Sequence, residues 1–172
     1  MKKSILALSI FSSIFMYSQT NCDNLKTELQ AAKSENEYLK KVLEINTPIL
    51  ESEKENNTFR IIKVTGNKSE RTISITFLVD SKDENKKLTF QDLVIVDPEG
   101  NQYGADLFKS SNLYPEVSSN IPLKMSFSFK DITDEPKIIK IFRFNVGAQP
   151  IRNLFERKTA APEFRDLKVN WN

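Results

Sequence analysis

The sequence predicts an all-β protein: an antiparallel β-sandwich preceded by one N-terminal α-helix. Three observations predict it. From Phe59 onward, apolar residues recur with a period of two in short runs. Clusters of turn-forming residues separate those runs. Ahead of them, residues 22–46 repeat instead at alternating steps of three and four, the period of a helical seam.

The first element is residues 1–19, MKKSILALSIFSSIFMYSQ. Lys2 and Lys3 make a basic start. Ile5 to Met16 form an apolar stretch too short to span a bilayer, and Tyr17, Ser18 and Gln19 form a more polar end. That order is the signature of a secretory signal peptide, and cleavage is expected after Ser18 or Gln19. The mature protein is then exported, periplasmic or secreted, with no membrane span left after cleavage. Taking Lys2 and Lys3 from the 25 basic residues leaves 23, against 23 acidic ones. A chain with no net charge and no basic stripe is not expected to bind nucleic acid.

Residues 22–47 are expected to form a short coiled-coil helix. With Cys22 at a, the heptad positions a and d fall on Leu25, Leu29, Ala32, Asn36, Leu39, Leu43 and Asn46 without a slip. A period of 3.5 marks a seam between helices, whereas a helix lying on a core shows a wider stripe. Asp23 and Asn24 suit the start, and Pro48 disfavours helix at Thr47. The seam residues Cys22, Leu25, Leu29, Ala32, Asn36, Leu39 and Leu43 predict a homo-oligomer, a dimer or a trimer. Asn36 at an a position fixes register at a cost in stability. The competing reading is a helix packed on its own domain, because short helices are marginal alone. Cys22, the only cysteine, would face its counterpart in a parallel coil, and an oxidising compartment would permit an interchain disulfide. A free thiol on a frayed terminus is the alternative. Lipid attachment at Cys22 is disfavoured, because the preceding Gln19, Thr20 and Asn21 are polar.

Residues 48–58 are polar and charged beyond Leu50 and read as a linker. Residues 59–172 are the expected β-sandwich domain. Ile73, Ile75, Phe77 and Val79 share one face of the run 71–79, and Leu123, Met125, Phe127 and Phe129 one face of 123–129. A third run covers 137–146, with shorter ones at 60–64 and 93–96 and weaker ones at 103–108 and 167–171. Turns are expected at Gly66-Asn67, at 82–85, at 97–101 and at 134–136. Residues 147–166 read as irregular, or as one short helix around 152–156. A closed barrel is the second architecture compatible with this pattern.

The layout FLVDSKDENKKLTFQDLVIVDPEGNQY, then NIPLKMSFSFKDI and PKIIKIFRF, resembles small secreted bacterial immunoglobulin-like sandwich proteins over residues 59–146. The shared features are a strand ending in an Asp-x-x-Gly-Asn-x-Tyr turn and a proline followed by an alternating strand. The resemblance implies an immunoglobulin-like fold and a binding or structural role, and it supplies no catalytic residues.

The chemistry is bounded by composition. The chain has no histidine, which removes histidine dyads and triads and the commonest transition-metal ligand. One cysteine cannot make an ordinary zinc cluster. Carboxylate pairs such as Asp131 with Asp134 read as solvated turns, and the Asp80, Asp83, Glu84 loop lacks EF-hand spacing for calcium. No enzymatic activity, cofactor or metal site is expected. Tyr103, Phe108, Tyr114 and Trp171 are the aromatic residues that suit a ligand platform, although packing is the commoner use. The expected function is an exported binding or structural protein, self-associating through its helix and meeting an envelope or extracellular protein or a glycan. The alternative is a monomeric ligand-binding sandwich.

Overall fold

The computed structural model describes residues 24–40, 42, 47–153 and 155–172. The expected signal peptide, Cys22, Leu43 and Asn46 lie outside the described residues. The chain divides at Thr47. Before it, residues 24–40 form a helix, α1, rich in Lys, Glu, Gln, Ala and Leu, which lose little freedom in helical backbone. No helix among the described residues is long and apolar enough to cross a membrane.

From Thr47 onward the chain is a two-sheet sandwich. One sheet orders β1 (Leu50–Lys54), β2 (Asn57–Asn67), β3 (Thr72–Ser81) and β7 (Leu123–Phe129), with β11 (Asn170–Trp171) parallel to the far end of β2. The other orders β10 (Glu163–Lys168), β8 (Ile138–Pro150), β4 (Lys86–Val96) and β5 (Gln102–Gly104). There β6 (Glu116–Val117) also pairs with β4, and β9 (Lys158–Ala160) with β8. Apart from β11, every strand pairing is antiparallel. The chain crosses between sheets after β3, β6, β7 and β10, so that β7 returns beside β3 and β8 beside β4. That is the immunoglobulin-like Greek key.

Alternation supplies the core. Ile73, Ile75, Phe77 and Val79 of β3 face Leu88, Phe90 and Ile95 of β4 and Phe142, Phe144 and Val146 of β8, all buried. Phe77 is the hub. Its ring centroid lies 6.1 Å from that of Phe90, 5.4 Å from Phe127 and 5.9 Å from Phe144. In antibody domains a disulfide joins the strands equivalent to β3 and β8. This chain, with one cysteine, joins them with phenylalanine rings, each large enough to bury about 150–250 Å².

One side of the sandwich is closed by residues 102–117. This strap starts on β4 as β5, and Leu113 and Pro115 accept hydrogen bonds from Phe90 N and Leu88 N before it ends on β4 as β6. Between these points it crosses to the edge of β7. Asp106 N and Ser111 N donate to the Ser128 and Ser126 carbonyls, while Ser128 N and Ser126 N donate to Ser110 Oγ and Ser111 Oγ. Edge groups that would otherwise invite a foreign strand are thus occupied.

Three expectations are corrected. The 48–58 segment is no linker, since β1 pairs with β2 from Leu50↔Ile61 to Lys54↔Asn57 around the left-handed Glu55 and Asn56. Its charged residues stay solvent-exposed while its backbone joins the sheet. The 147–166 segment holds no helix among its described residues. It completes β8, adds β9 and opens β10, with Phe164 and Leu167 buried. Gly66 is also not a turn residue but part of β2, and the turn follows at 68–71.

Candidate functional site

At one end of the sandwich, the loop between β7 and β8 stands beside the β2–β3 turn and the C-terminal strand. Together they surround an open hollow of about 580 Å³, lined by Lys68, Arg71, Thr133, Asp134, Glu135 and Trp171, with Ile132 at its base. Trp171 is positioned by three constraints. β11 pairs it with Gly66, its Nε1 donates to the Pro136 carbonyl at 2.9 Å, and its ring lies against Gly66 where any Cβ would overlap it. Only glycine permits so close an approach.

The 130–137 loop is pinned from both sheets. Arg71 Nε donates to the Ile132 carbonyl at 3.2 Å, and Ile132 N donates back to the Arg71 carbonyl at 3.0 Å. On the other side, the Tyr103 hydroxyl and Thr133 Oγ1 are 2.7 Å apart. Lys68 and Glu135 form an ion pair of 2.8 Å across the rim, both about half exposed. Asp134 and Glu135 take positive φ of 57° and 43°, and Glu135 does so directly before Pro136. Such backbone is unfavourable for these residues, and the surrounding bonds hold it.

Tyr103 is fixed in turn by Asp97, which is only 4% exposed. One oxygen of Asp97 accepts from Glu99 N and Asn101 N, both at 2.9 Å. The other accepts from Asn101 Nδ2 at 2.8 Å and the Tyr103 hydroxyl at 2.9 Å. Burial by itself raises the Asp97 pKa, but the four donors together overcome it and hold the carboxyl below its ordinary value. The Asp-x-x-Gly-Asn-x-Tyr turn noted in the sequence is therefore a hydrogen-bonded knot, with Gly100 at φ 89° making the reversal.

The four aromatic residues singled out in the sequence do not form one platform. Tyr103 is buried in the knot, and Trp171 lines the hollow. Phe108 and Tyr114 stand on the strap, Phe108 fully exposed, with Leu107 and Tyr114 beside a groove of about 390 Å³. The seam residues Leu25, Leu29, Ala32, Asn36 and Leu39 all lie on α1 and are exposed, the three leucines by 60%, 56% and 50%. The remaining seam positions, Cys22 and Leu43, lie outside the described residues.

The acidic 80–84 loop has its cations built in. Asp83 accepts from Lys86 Nζ at 2.6 Å, Ser81 Oγ at 2.8 Å and Asn56 Nδ2 at 3.1 Å. Burial pushes the Asp83 pKa up, and these bonds together pull it well below the usual carboxylate range. Lys86, itself buried, also donates to the Glu55 carbonyl, and Asp80 pairs with Arg60. Among the described residues no group of three or more acidic, cysteine or histidine side chains converges as a metal cage.

No protein-family model matches the chain, and no curated protein matches it. Among solved structures, the crystal structure of the yeast GGA1 GAE domain aligns with 66% of this chain and 94% of its own, at 13% identity and a TM-score of 0.43. A likeness so distant carries no functional information; the fold rests on the strand order above.

Proposed function

We propose that this protein is exported and non-enzymatic, self-associates through the helix of residues 22–47 and presents its sandwich domain in a binding or structural role. The observation that carries the reading is the row of exposed leucines on α1. Leu25, Leu29 and Leu39 follow the seam spacing and are exposed on α1. The tripartite leader supports export to the periplasm or beyond. The resemblance to small secreted bacterial immunoglobulin-like proteins agrees with that placement.

Sedimentation equilibrium tests the assembly. The protein lacking residues 1–19 should be a dimer or trimer at tens of micromolar, roughly the range where so short a coil still associates. Leu39→Asp, which sets an unpaired charge in the seam, should make it monomeric. Asn36→Ile should tighten association and loosen the choice of oligomer, because the buried amide no longer penalises other registers. Three monomers would leave the competing reading, a single-chain binding sandwich.

A further inference from the structure

We infer that the hollow beside Trp171 is a carbohydrate subsite that takes a neutral pyranose of an oligosaccharide. Two observations and one principle of recognition carry the inference. An indole, fixed on one side against Gly66, lines an open hollow. The C–H bonds on a pyranose face carry partial positive charge and lie well against the negative face of an aromatic ring. The rim then supplies what sugar hydroxyls need: carboxylate acceptors on Asp134 and Glu135, donors on Lys68 and Arg71, and a Thr133 hydroxyl left to accept, since its proton goes to the Tyr103 oxygen.

Charge selects among ligands. Two cations and two carboxylates share the rim, so the hollow has no net charge to recruit a phosphate, an acidic peptide or a polyamine. A ligand that is polar, uncharged and both donor and acceptor fits that balance. The size agrees, since about 580 Å³ lies within the roughly 300–1,000 Å³ of small-molecule sites. Preorganisation agrees as well. The 130–137 loop is tied to Arg71, Tyr103 and Trp171 before any ligand arrives, which lowers the ordering cost of binding. The rim ion pair of Lys68 with Glu135 is exposed and hence weak, so its members are free to turn to a sugar.

This inference rests on the binding half of the proposed function and is independent of assembly. Trp171 is the only tryptophan in the chain, so its emission reports on this site alone. Full-length protein is titrated with chitotriose, cellotriose, maltotriose and mannotriose, and with inorganic phosphate as the charged control. At least one trisaccharide should shift the emission and saturate, with a Kd between roughly 10 μM and 10 mM. Lys68→Ala combined with Glu135→Ala should weaken it at least tenfold while circular dichroism stays unchanged. If that pair unfolds, Glu135→Gln is the substitute and should weaken binding by at least threefold. The inference is overturned if no trisaccharide moves the emission up to about 20 mM, if phosphate alone saturates it, or if the folded variant binds as the wild type does. Sedimentation reads assembly separately, so neither failure imitates the other.

Discussion

At the scale of single residues, Asp97 and Gly66 set the geometry around the hollow. The Asp97 carboxylate has a folded pKa below its ordinary 3.8. A depressed pKa contributes stability that is complete above the unfolded value and is lost as pH falls through the folded one. Thermal stability should therefore fall as pH drops below about 4, with Asp83 adding to the same slope. Asp97→Asn should flatten part of that slope. It should also cost about 1–3 kcal/mol at neutral pH, because its amide nitrogen would face the Asn101 amide as donor against donor. Thermal melts of both proteins between pH 2 and 7 check this. Gly66→Ala should drive the Trp171 ring out of its seat. The expected readout is a red-shifted emission and a loss of about 1–3 kcal/mol in urea unfolding. An unshifted spectrum would mean that the ring does not lie on Gly66. In the sequence Gly66 reads as a turn, because glycine beside asparagine usually is one. The residue that explains it, Trp171, stands at the other end of the chain, and no local pattern links the two.

At the scale of elements, the strands that the sequence showed plainly are those with unbroken alternation. β3 and β7 keep one parity throughout, and both were legible almost to the residue. Bulges hid parts of others. In β4 the inward residues run Leu88, Phe90, then Leu93 and Ile95, because an irregularity around Asp92, at φ 52°, slips the register by one. In β10 the buried Phe164 and Leu167 likewise stand three apart across Asp166, at φ 55°, although the register with β8 is unbroken. A one-residue slip moves every later side chain to the other face, so a period-two reading stops there. β1 was hidden differently, since its side chains are almost all exposed and only its backbone reveals it. That strand is expected to matter for stability. The fragment 47–172 should unfold cooperatively, whereas 57–172 should melt lower, because it exposes the β2 backbone that β1 now pairs. Comparative calorimetry of the two fragments decides it, and equal melting points would make β1 ornamental.

At the scale of the whole molecule, alternation, turn spacing and a phenylalanine-rich composition sufficed for the sandwich. They did not reveal the hollow, whose lining comes from residues 68, 71, 132–135 and 171, each unremarkable in its own stretch. Only the Greek-key crossings bring them to one end. The heptad spacing of residues 22–46 is the reverse case, a pattern visible in the sequence because all of its residues are local.

The way the chain enters and leaves the sandwich has one more consequence. Ile49 N bonds the Ile61 carbonyl, and Asn172 N bonds the Gly66 carbonyl. The unit therefore begins and ends along one strand, β2, at points separated by about 17 Å at the usual strand rise. A flexible bridge of roughly eight residues spans that distance. The domain is thus built to be re-opened elsewhere as a circular permutant, or lodged inside the loop of another protein, with its sheets unchanged.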